Sequence, residues 1–142
     1  MDNNILSFLG LMRKAGSLAL GGENAYDAAR THRARLLVLA EDCGPNTAAQ
    51  IRSAARQAEA PIAHLPCTKA ALGGALGQRE CAALAVTDTG FALSLCRKCG
   101  WPAQAEQLEA RLAREKKRKQ KKIDRTAAKR AGTDTRKGGN NL

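Results

Sequence analysis

The residues best suited to binding chemistry lie in one short turn, Gly21, Gly22, Glu23 and Asn24. A helix that begins just after flexible glycines leaves its first backbone N–H groups without intrahelical partners. Those donors, with a carboxylate and an amide beside them, can bind an anion or the edge of a base. The turn is therefore the first candidate binding site.

Two other pairs of residues could support catalysis or metal binding. Glu41 and Asp42 form a carboxylate pair, but neighbours at a strand end point apart, so we expect them to cap the following helix. Cys96 and Cys99 lack a second Cys pair, and neither histidine has ligand spacing to them. This argues against a zinc site, while an intermolecular zinc or a redox pair stays open.

Enzymatic activity is not indicated by any motif. Two isolated histidines do not nominate a base for a Ser, Cys or Lys nucleophile, and the Gly-rich phosphate-binding loop of nucleotide hydrolases is absent. We predict no catalytic residues, no cofactor and no metal.

The positive charge is concentrated in the C-terminal part of the chain. The net charge is +11; residues 1–102 hold 11 Lys/Arg and 8 Asp/Glu, a net +3, whereas residues 103–142 hold 13 and 5, a net +8. Such a surface favours a phosphate backbone as partner, because neutralising phosphates releases counterions. Anionic lipid is the weaker alternative, since the basic stretch has few large apolar residues to bury in a bilayer.

The cysteines and the apolar runs indicate a cytoplasmic protein. No run is long enough to span a bilayer, and the first 20 residues are interrupted by Arg13, Lys14 and Gly16, unlike a signal peptide. The cysteines are odd in number and scattered, which fits a reducing compartment; they are Cys43, Cys67, Cys81, Cys96 and Cys99.

Helical and strand patterns alternate through the first 100 residues. The spacing of Ile5, Phe8, Leu9 and Met12 predicts a first helix ending at Gly16. The run 34–40 lacks alternation, as in a central strand covered on both faces. Further strands are predicted at 17–20, 61–65 and 82–87, and further helices at 24–32, from Asn46 or Thr47, at 68–77 and after Asp88 or Thr89. Thr47 and Gln50 have capping-box spacing.

The composition changes abruptly after Trp101 and Pro102. Ala105, Leu108 and Leu112 keep a helical stripe, but the run KKRKQKK and the Thr/Gly/Asn-rich end offer nothing to bury. We therefore predict a folded domain over 1–100 and a basic, partly helical to disordered tail over 101–142.

The order of the segments resembles a known family. A helix, the GGEN helix, a buried strand ending in AEDCGPNT, the stretch TKAALGGALG and the stretch AVTDTGFALSL follow one another. This combination is similar to the L-seven-Ae kink-turn-binding ribosomal-protein superfamily, and most similar to its small bacterial branch of ribosome-associated RNA-binding proteins, over about residues 4–98. With the alternation of elements, it implies an α/β fold: a three-layer α/β/α sandwich with a mixed sheet of about four strands.

The resemblance assigns an RNA-reading role to the turn. The superfamily pattern of Gly, any residue, Asn, Glu, any two residues and Lys corresponds to the stretch from Gly21 to Asp27, and its amide and carboxylate read guanine edges in the sheared pairs of the kink. In this chain Glu23 and Asn24 are in the reverse order, and Asp27 replaces the cation.

A second set of contacts is implied in the loop before the fourth helix. There the superfamily packs an apolar residue and backbone on a protruding nucleotide, and Lys69 is the natural phosphate ligand. Arg33 and Arg35 could flank the same face, and the tail run would bind phosphates. The full predicted RNA-binding set is Gly21, Gly22, Glu23, Asn24, Asp27, Arg33, Arg35, Thr68, Lys69, Leu72, Gly73, Lys116, Lys117, Arg118, Lys119, Lys121 and Lys122.

Three classes of function remain open at this point. The first is a binder of structured RNA, kink-turn-like or ribosomal, with the ribosome or its proteins as further partners. The second is a protein-interaction adaptor on the same fold, in which the basic tail gives nonspecific nucleic-acid binding. The third is a small hydrolase or redox protein, supported only by the carboxylate and Cys pairs. The sequence leaves the oligomeric state open.

Overall fold

A computed structural model describes residues 3–136 of the chain, with side chains described for residues 4–129. Its elements are α1 (Asn3–Lys14), β1 (Leu18–Leu20), α2 (Gly22–Arg30), β2 (Leu36–Ala40), α3 (Pro45–Ala58), β3 (Ile62–Leu65), α4 (Lys69–Ala75), β4 (Ala83–Val86), α5 (Thr89–Cys99) and α6 (Pro102–Arg136). The alternation predicted from the sequence is confirmed.

The sheet is mixed and has four strands in the order β1-β4-β2-β3. Strand β2 runs parallel to β3 and antiparallel to β4, and β1 runs antiparallel to β4. All five residues of β2 are buried, as expected for a central strand without alternation.

Helices cover both faces of the sheet, which confirms the three-layer sandwich. On one face, α2 and α3 pack on Leu37 and Leu39 through small side chains such as Ala28 and Ala55. Because these alanines add little bulk, the two helices lie close to the strands. Leu36 and Val38 alternate to the other face, which is covered by α1, α4 and α5.

The helix caps agree only partly with the sequence prediction. Asp88 caps α5 by accepting a hydrogen bond from the Phe91 N–H at 2.8 Å. The predicted capping box of α3 is wrong, because the helix begins at Pro45 and Thr47 lies inside it. Proline is well suited to a first helical position, since its missing N–H would have no intrahelical acceptor there.

The last helix, α6, is divided between two compact units. The first unit ends at Glu109 and the second begins at Ala110. The start of α6 is held on the first unit: Leu108 is fully buried, and the side chains of Gln104 and Gln107 donate to carbonyls of Ile62 and Glu59.

The described part of the predicted tail is helical. Helix α6 continues through the KKRKQKK run to Arg136, whereas residues 137–142, where disorder was also predicted, lie outside the described residues. The functional division between 1–100 and 101–142 stays a prediction. None of the helices within residues 3–136 is long and apolar enough to cross a membrane.

Candidate functional site

The fold brings the two predicted contact segments of the core to the same end of the sheet. At the end of β1, the Gly21 N–H donates to the Ala83 carbonyl at 2.9 Å. The Cys81 N–H donates to the carbonyl of Lys69, the first residue of α4, also at 2.9 Å. Ala83 is the first residue of β4 and Cys81 lies just before it. The turn Gly21–Asn24, called the GGEN turn below, and the start of α4 are therefore connected through this one segment.

The N-terminus of α2 presents backbone donors. Its N-cap is Gly21, which makes no side-chain cap, and the helix's first backbone bond is from the Ala25 N–H to the Gly21 carbonyl. The N–H groups of Gly22, Glu23 and Asn24 therefore have no intrahelical acceptors. Together with the positive end of the helix dipole, they favour an anion or an electron-rich base edge.

The two glycines of the turn have different causes, a backbone conformation at Gly21 and close packing at Gly22. Gly21 has φ +92° and ψ 158°, a conformation that side chains disfavour. A Cβ on Gly22 would lie 2.8 Å from the Cγ2 atom of Thr47, so α2 approaches α3 closely at this point. The Gly pair thus fixes where the α2 N-terminus emerges.

The polar side chains of the turn have different local roles. The Nδ2 group of Asn24 donates to the Leu20 carbonyl at 2.8 Å, which orients the amide. One Nδ2 hydrogen is used in this bond, and an amide has a second hydrogen and an acceptor oxygen to offer a base. Glu23 is exposed.

Asp27 is paired with two arginines. Its Oδ1 atom is 2.9 Å from Nη2 of Arg30, and its Oδ2 atom is 3.3 Å from Nη2 of Arg33. Arg33 is further fixed by a 3.0 Å bond from its Nε to the Thr31 hydroxyl. The three charged groups sum to +1, the same charge as the single Lys that the superfamily has at the position of Asp27, and the exposed Glu23 lies one helical turn before them.

An open cleft of about 420 Å³ runs along the edge strand beside the turn. It is lined by Leu18, Ala19, Leu20, Asn24, Arg33 and Gln78. Its lining therefore combines strand backbone, two amides and a guanidinium, which suits a polar, anionic ligand.

Gln78 in this cleft, and Arg30 beside Asp27, were missed by sequence reasoning. The i, i+3 spacing of Asp27 and Arg30 on a predicted helix was an available signal. For Gln78, the only signal in the sequence was its position just after the Gly-rich fourth helix. Its N–H donates to the Gly73 carbonyl at 2.8 Å, and a Cβ on Gly73 would lie 2.7 Å from the Cα atom of Glu80.

The loop before α4 is held by two side-chain caps. The Thr68 hydroxyl accepts from the Ala71 N–H at 3.1 Å, and the Asp42 carboxylate accepts from the Lys69 N–H at 2.7 Å. Asp42 thus caps α4, and its predicted cap on the directly following helix, α3, is wrong.

Lys69 lies among charges of both signs at this end of the sheet, because the Asp42 carboxylate accepts from its N–H and Arg52 acts on the same Cys43 thiol as its side chain. Its charge and that of Arg52 lower the pKa of the nearby Cys43 thiol, although burial has the larger effect and leaves that pKa raised. The side chain of Lys69 is half-buried. The loop therefore offers a cation near, but outside, the lining of the cleft.

The remaining predicted residues are not gathered in the cleft. Leu72 is fully buried and Gly73 lies under Glu80, so both act on the site only through the packing of α4. Arg35 donates from Nη1 to the His32 carbonyl at 3.0 Å, beyond the end of α2. The basic run 116–122 is exposed and belongs to the second compact unit.

The cysteine pair of α5 is poorly suited to redox or metal chemistry. Burial raises the pKa of Cys96 and of Cys99 to about 11, with the neighbouring Cys99 adding to the effect at Cys96. Both thiols therefore stay protonated near neutral pH, and the thiolate is the reactive form. In the described part of the chain, no three His, Cys, Asp or Glu side chains are grouped as metal ligands.

Comparisons with known proteins match a large part of the chain. The model of the ribosomal protein L7Ae/L30e/S12e/Gadd45 family matches residues 3–95. The RNA-binding protein YlxQ of Bacillus subtilis (strain 168) is 32% identical over 87 residues, which are 61% of this chain and 86% of that protein. A solved structure of a protein with unknown function from Bacillus halodurans C is 27% identical, with a TM-score of 0.61, and the match covers 68% of this chain and 96% of that chain.

Proposed function

Because the chain belongs to the ribosomal protein L7Ae/L30e/S12e/Gadd45 family, we propose that it is a non-catalytic RNA-binding protein. Its ligand is structured RNA, kink-turn-like or ribosomal, and it acts in the cytoplasm in association with the ribosome. The similarity to a protein named for RNA binding supports this proposal. The observation that carries it is the uncapped N-terminus of α2, which opens beside a cleft lined by Asn24 and Arg33.

Each group of the turn has a role that its chemistry allows. The amide of Asn24 can donate to and accept from a base edge, and the carboxylate of Glu23 accepts from guanine amino groups. The N–H groups at the start of α2 bind a phosphate or a base acceptor. Arg33 and Gln78 contact the RNA along the edge of β1.

Asp27 holds two arginines at the turn, and the group keeps a net charge of +1. Relatives in the superfamily carry a cation at this position. Here the two ion pairs of Asp27 hold the guanidinium groups of Arg30 and Arg33 next to it. Arginine forms bidentate bonds with phosphate, so the exchange of one Lys for a tethered Arg pair preserves phosphate attraction.

The basic C-terminal helix adds affinity that does not depend on sequence. Its cations neutralise phosphates, while the core distinguishes one RNA shape from another. Recognition of a folded RNA fits the scarcity of aromatic side chains for stacking on single strands: Phe8 and Phe91 pair edge to face, with ring centroids 5.8 Å apart.

The test is a comparison of two RNAs with the full-length protein. We would titrate a labelled kink-turn RNA and a version without the sheared pairs, and compare wild type with Asn24→Ala. We expect the preference for the kink-turn to fall by about 1–3 kcal/mol, the typical cost of a lost bidentate base contact. Gln57→Ala, an exposed amide in the last turn of α3, is the matched control and should change nothing.

Failure of this test has a defined consequence. If Asn24→Ala and Arg33→Ala both leave RNA affinity and preference at wild-type values, the turn is not the reading surface. The protein-interaction adaptor on the same fold would then be the better description.

A further inference from the structure

The second compact unit carries most of its cations on one side of a helix. Residues 111–129 hold ten Arg/Lys and two acidic residues, a net +8, and all of them are helical. Because successive residues are about 100° apart around an α-helix, the seven cations at positions 111, 114, 118, 121, 122, 125 and 129 fall within an arc of about 100°. We call this set the basic stripe: Arg111, Arg114, Arg118, Lys121, Lys122, Arg125 and Lys129.

The contiguous basic run of the sequence is thereby divided. Arg118, Lys121 and Lys122 belong to the stripe, whereas Lys116, Lys117 and Lys119 point to other sides of the helix by the same geometry. We infer that the basic stripe binds along the phosphate backbone of double-helical RNA, and that the other three lysines contribute little to this binding. The choice of RNA rests on the proposed function.

The dimensions of the stripe suit a phosphate backbone. Apart from the adjacent Lys121 and Lys122, its members recur every three or four residues, about 4.5–6 Å along the axis, and the stripe is about 27 Å long. The stripe residues from Arg114 to Lys129 are exposed. Four of the seven are arginines, whose guanidinium groups bind phosphate oxygens in pairs.

One of the two acidic residues of this segment pairs with the first member of the stripe, and the other lies outside the stripe. Asp124 lies on the far side of the helix and accepts from the Gln120 amide at 2.9 Å. Glu115 lies at the margin and forms an i, i+4 ion pair with Arg111 at 3.3 Å. The positive potential is therefore directed to one side of the helix.

A lipid surface is a poorer match for the same helix. Membrane-surface helices place a broad apolar face opposite their cations. Here the segment 111–129 has two large apolar residues, Leu112 and Ile123, and the latter is 50% exposed. Phosphate attraction without apolar insertion is typical of nucleic-acid binding.

The experiment removes the same charge from two sides of the helix. In the full-length protein, the stripe variant carries Arg118→Gln, Lys122→Gln and Arg125→Gln, and the matched variant carries Lys116→Gln, Lys117→Gln and Lys119→Gln. Binding to a blunt RNA duplex longer than the stripe is titrated over a range of salt concentrations. Glutamine is a good helix former, so both variants should keep the helicity seen by circular dichroism.

We expect the stripe variant to lose about 2.7 units of the salt slope, at roughly 0.9 per phosphate contact, and therefore to bind roughly 500-fold more weakly at 0.1 M salt if the two proteins bind equally at 1 M salt. The matched variant should lose less than a third of that slope. Equal losses in the two variants would overturn the inference, because they would show that only the total charge matters. Unchanged binding in the stripe variant would overturn it as well.

Two further measurements separate this inference from the proposed function. A variant with Arg118→Lys and Arg125→Lys keeps the charge and should keep the salt slope; loss of the slope here would mean that the stripe acts through helix structure instead. The preference for the kink-turn over the RNA without sheared pairs should be the same in the stripe variant as in wild type. If Asn24→Ala loses the preference for the kink-turn RNA but keeps the salt slope of wild type, only the role of the core has been tested, and the inference about the stripe is unaffected.

Discussion

Replacement of Asp27 by Lys tests whether the GGEN turn at the start of α2 faces RNA. The substitution changes the charge at the turn by +2, so that the group formed with Arg30 and Arg33 goes from +1 to +3. It also releases both guanidinium groups from the carboxylate. We expect tighter binding to a kink-turn RNA.

The size of the effect follows from Coulomb's law. For a phosphate about 7 Å away in a water-like dielectric, a change of two charges is worth about 1 kcal/mol, and salt at 0.1 M reduces it to about half. The dissociation constant should therefore fall about three- to eightfold. The cost in stability is small, because the side chains of Asp27, Arg30 and Arg33 are 48%, 60% and 56% exposed and such pairs are worth about 0.2–1 kcal/mol each.

The assay is a fluorescence titration of the full-length protein with the kink-turn RNA and the RNA without sheared pairs, with Asp27→Asn as the isosteric control. Asp27→Asn should give about half of the gain in free energy. If Asp27→Lys and Asp27→Asn both weaken binding, the tethering of the arginines matters more than the charge. If neither changes the affinity at low salt, the turn does not face RNA and the site assignment fails.

Three further predictions concern the tail, the second loop and the thiols. Deletion of residues 110–142 should weaken RNA binding and flatten its salt dependence, with little change in melting temperature. Deletion of residues 103–142 should also lower the melting temperature, because it removes the buried Leu108. Equal melting temperatures of the two deletion variants in calorimetry would contradict this. Lys69→Ala should weaken binding with a nearly unchanged melting temperature, because truncation of a half-buried surface lysine usually changes stability little; a large drop would make it structural. Alkylation of Cys99 by iodoacetamide, followed by mass spectrometry, should be slow at pH 7 and should rise about tenfold per pH unit towards pH 11, since burial raises its pKa to about 11; fast alkylation at neutral pH would show an exposed thiolate.

Much of the fold can be predicted from the sequence because its signals are local. The unbroken apolar run that becomes β2 required cover on both faces, and it is the buried strand between β4 and β3. Asp88 is the α5 N-cap because a short acceptor just before a helix binds its free N–H groups. The position of the GGEN turn at a helix start likewise depends only on neighbouring residues.

The site needed contacts between distant segments, which local patterns do not encode. Asp42 follows β2, yet it caps α4. The parallel strands β2 and β3 end side by side, and this brings the backbone N–H of Lys69 within 2.7 Å of the Asp42 carboxylate. Arg33 reaches Asp27 because the chain turns back after α2. Gln78 joins Asn24 in one cleft although 53 positions separate them.

The sequence by itself therefore determined which residues are polar, where the helices and strands of the first 100 residues lie to within a few residues, and where the charge is concentrated. Only the tertiary structure decided which of those polar groups neutralise one another and which line the cleft. The physical reason is that hydrogen bonds and ion pairs act over a few ångströms in space, and the strand order β1-β4-β2-β3 brings together residues that are far apart in the chain.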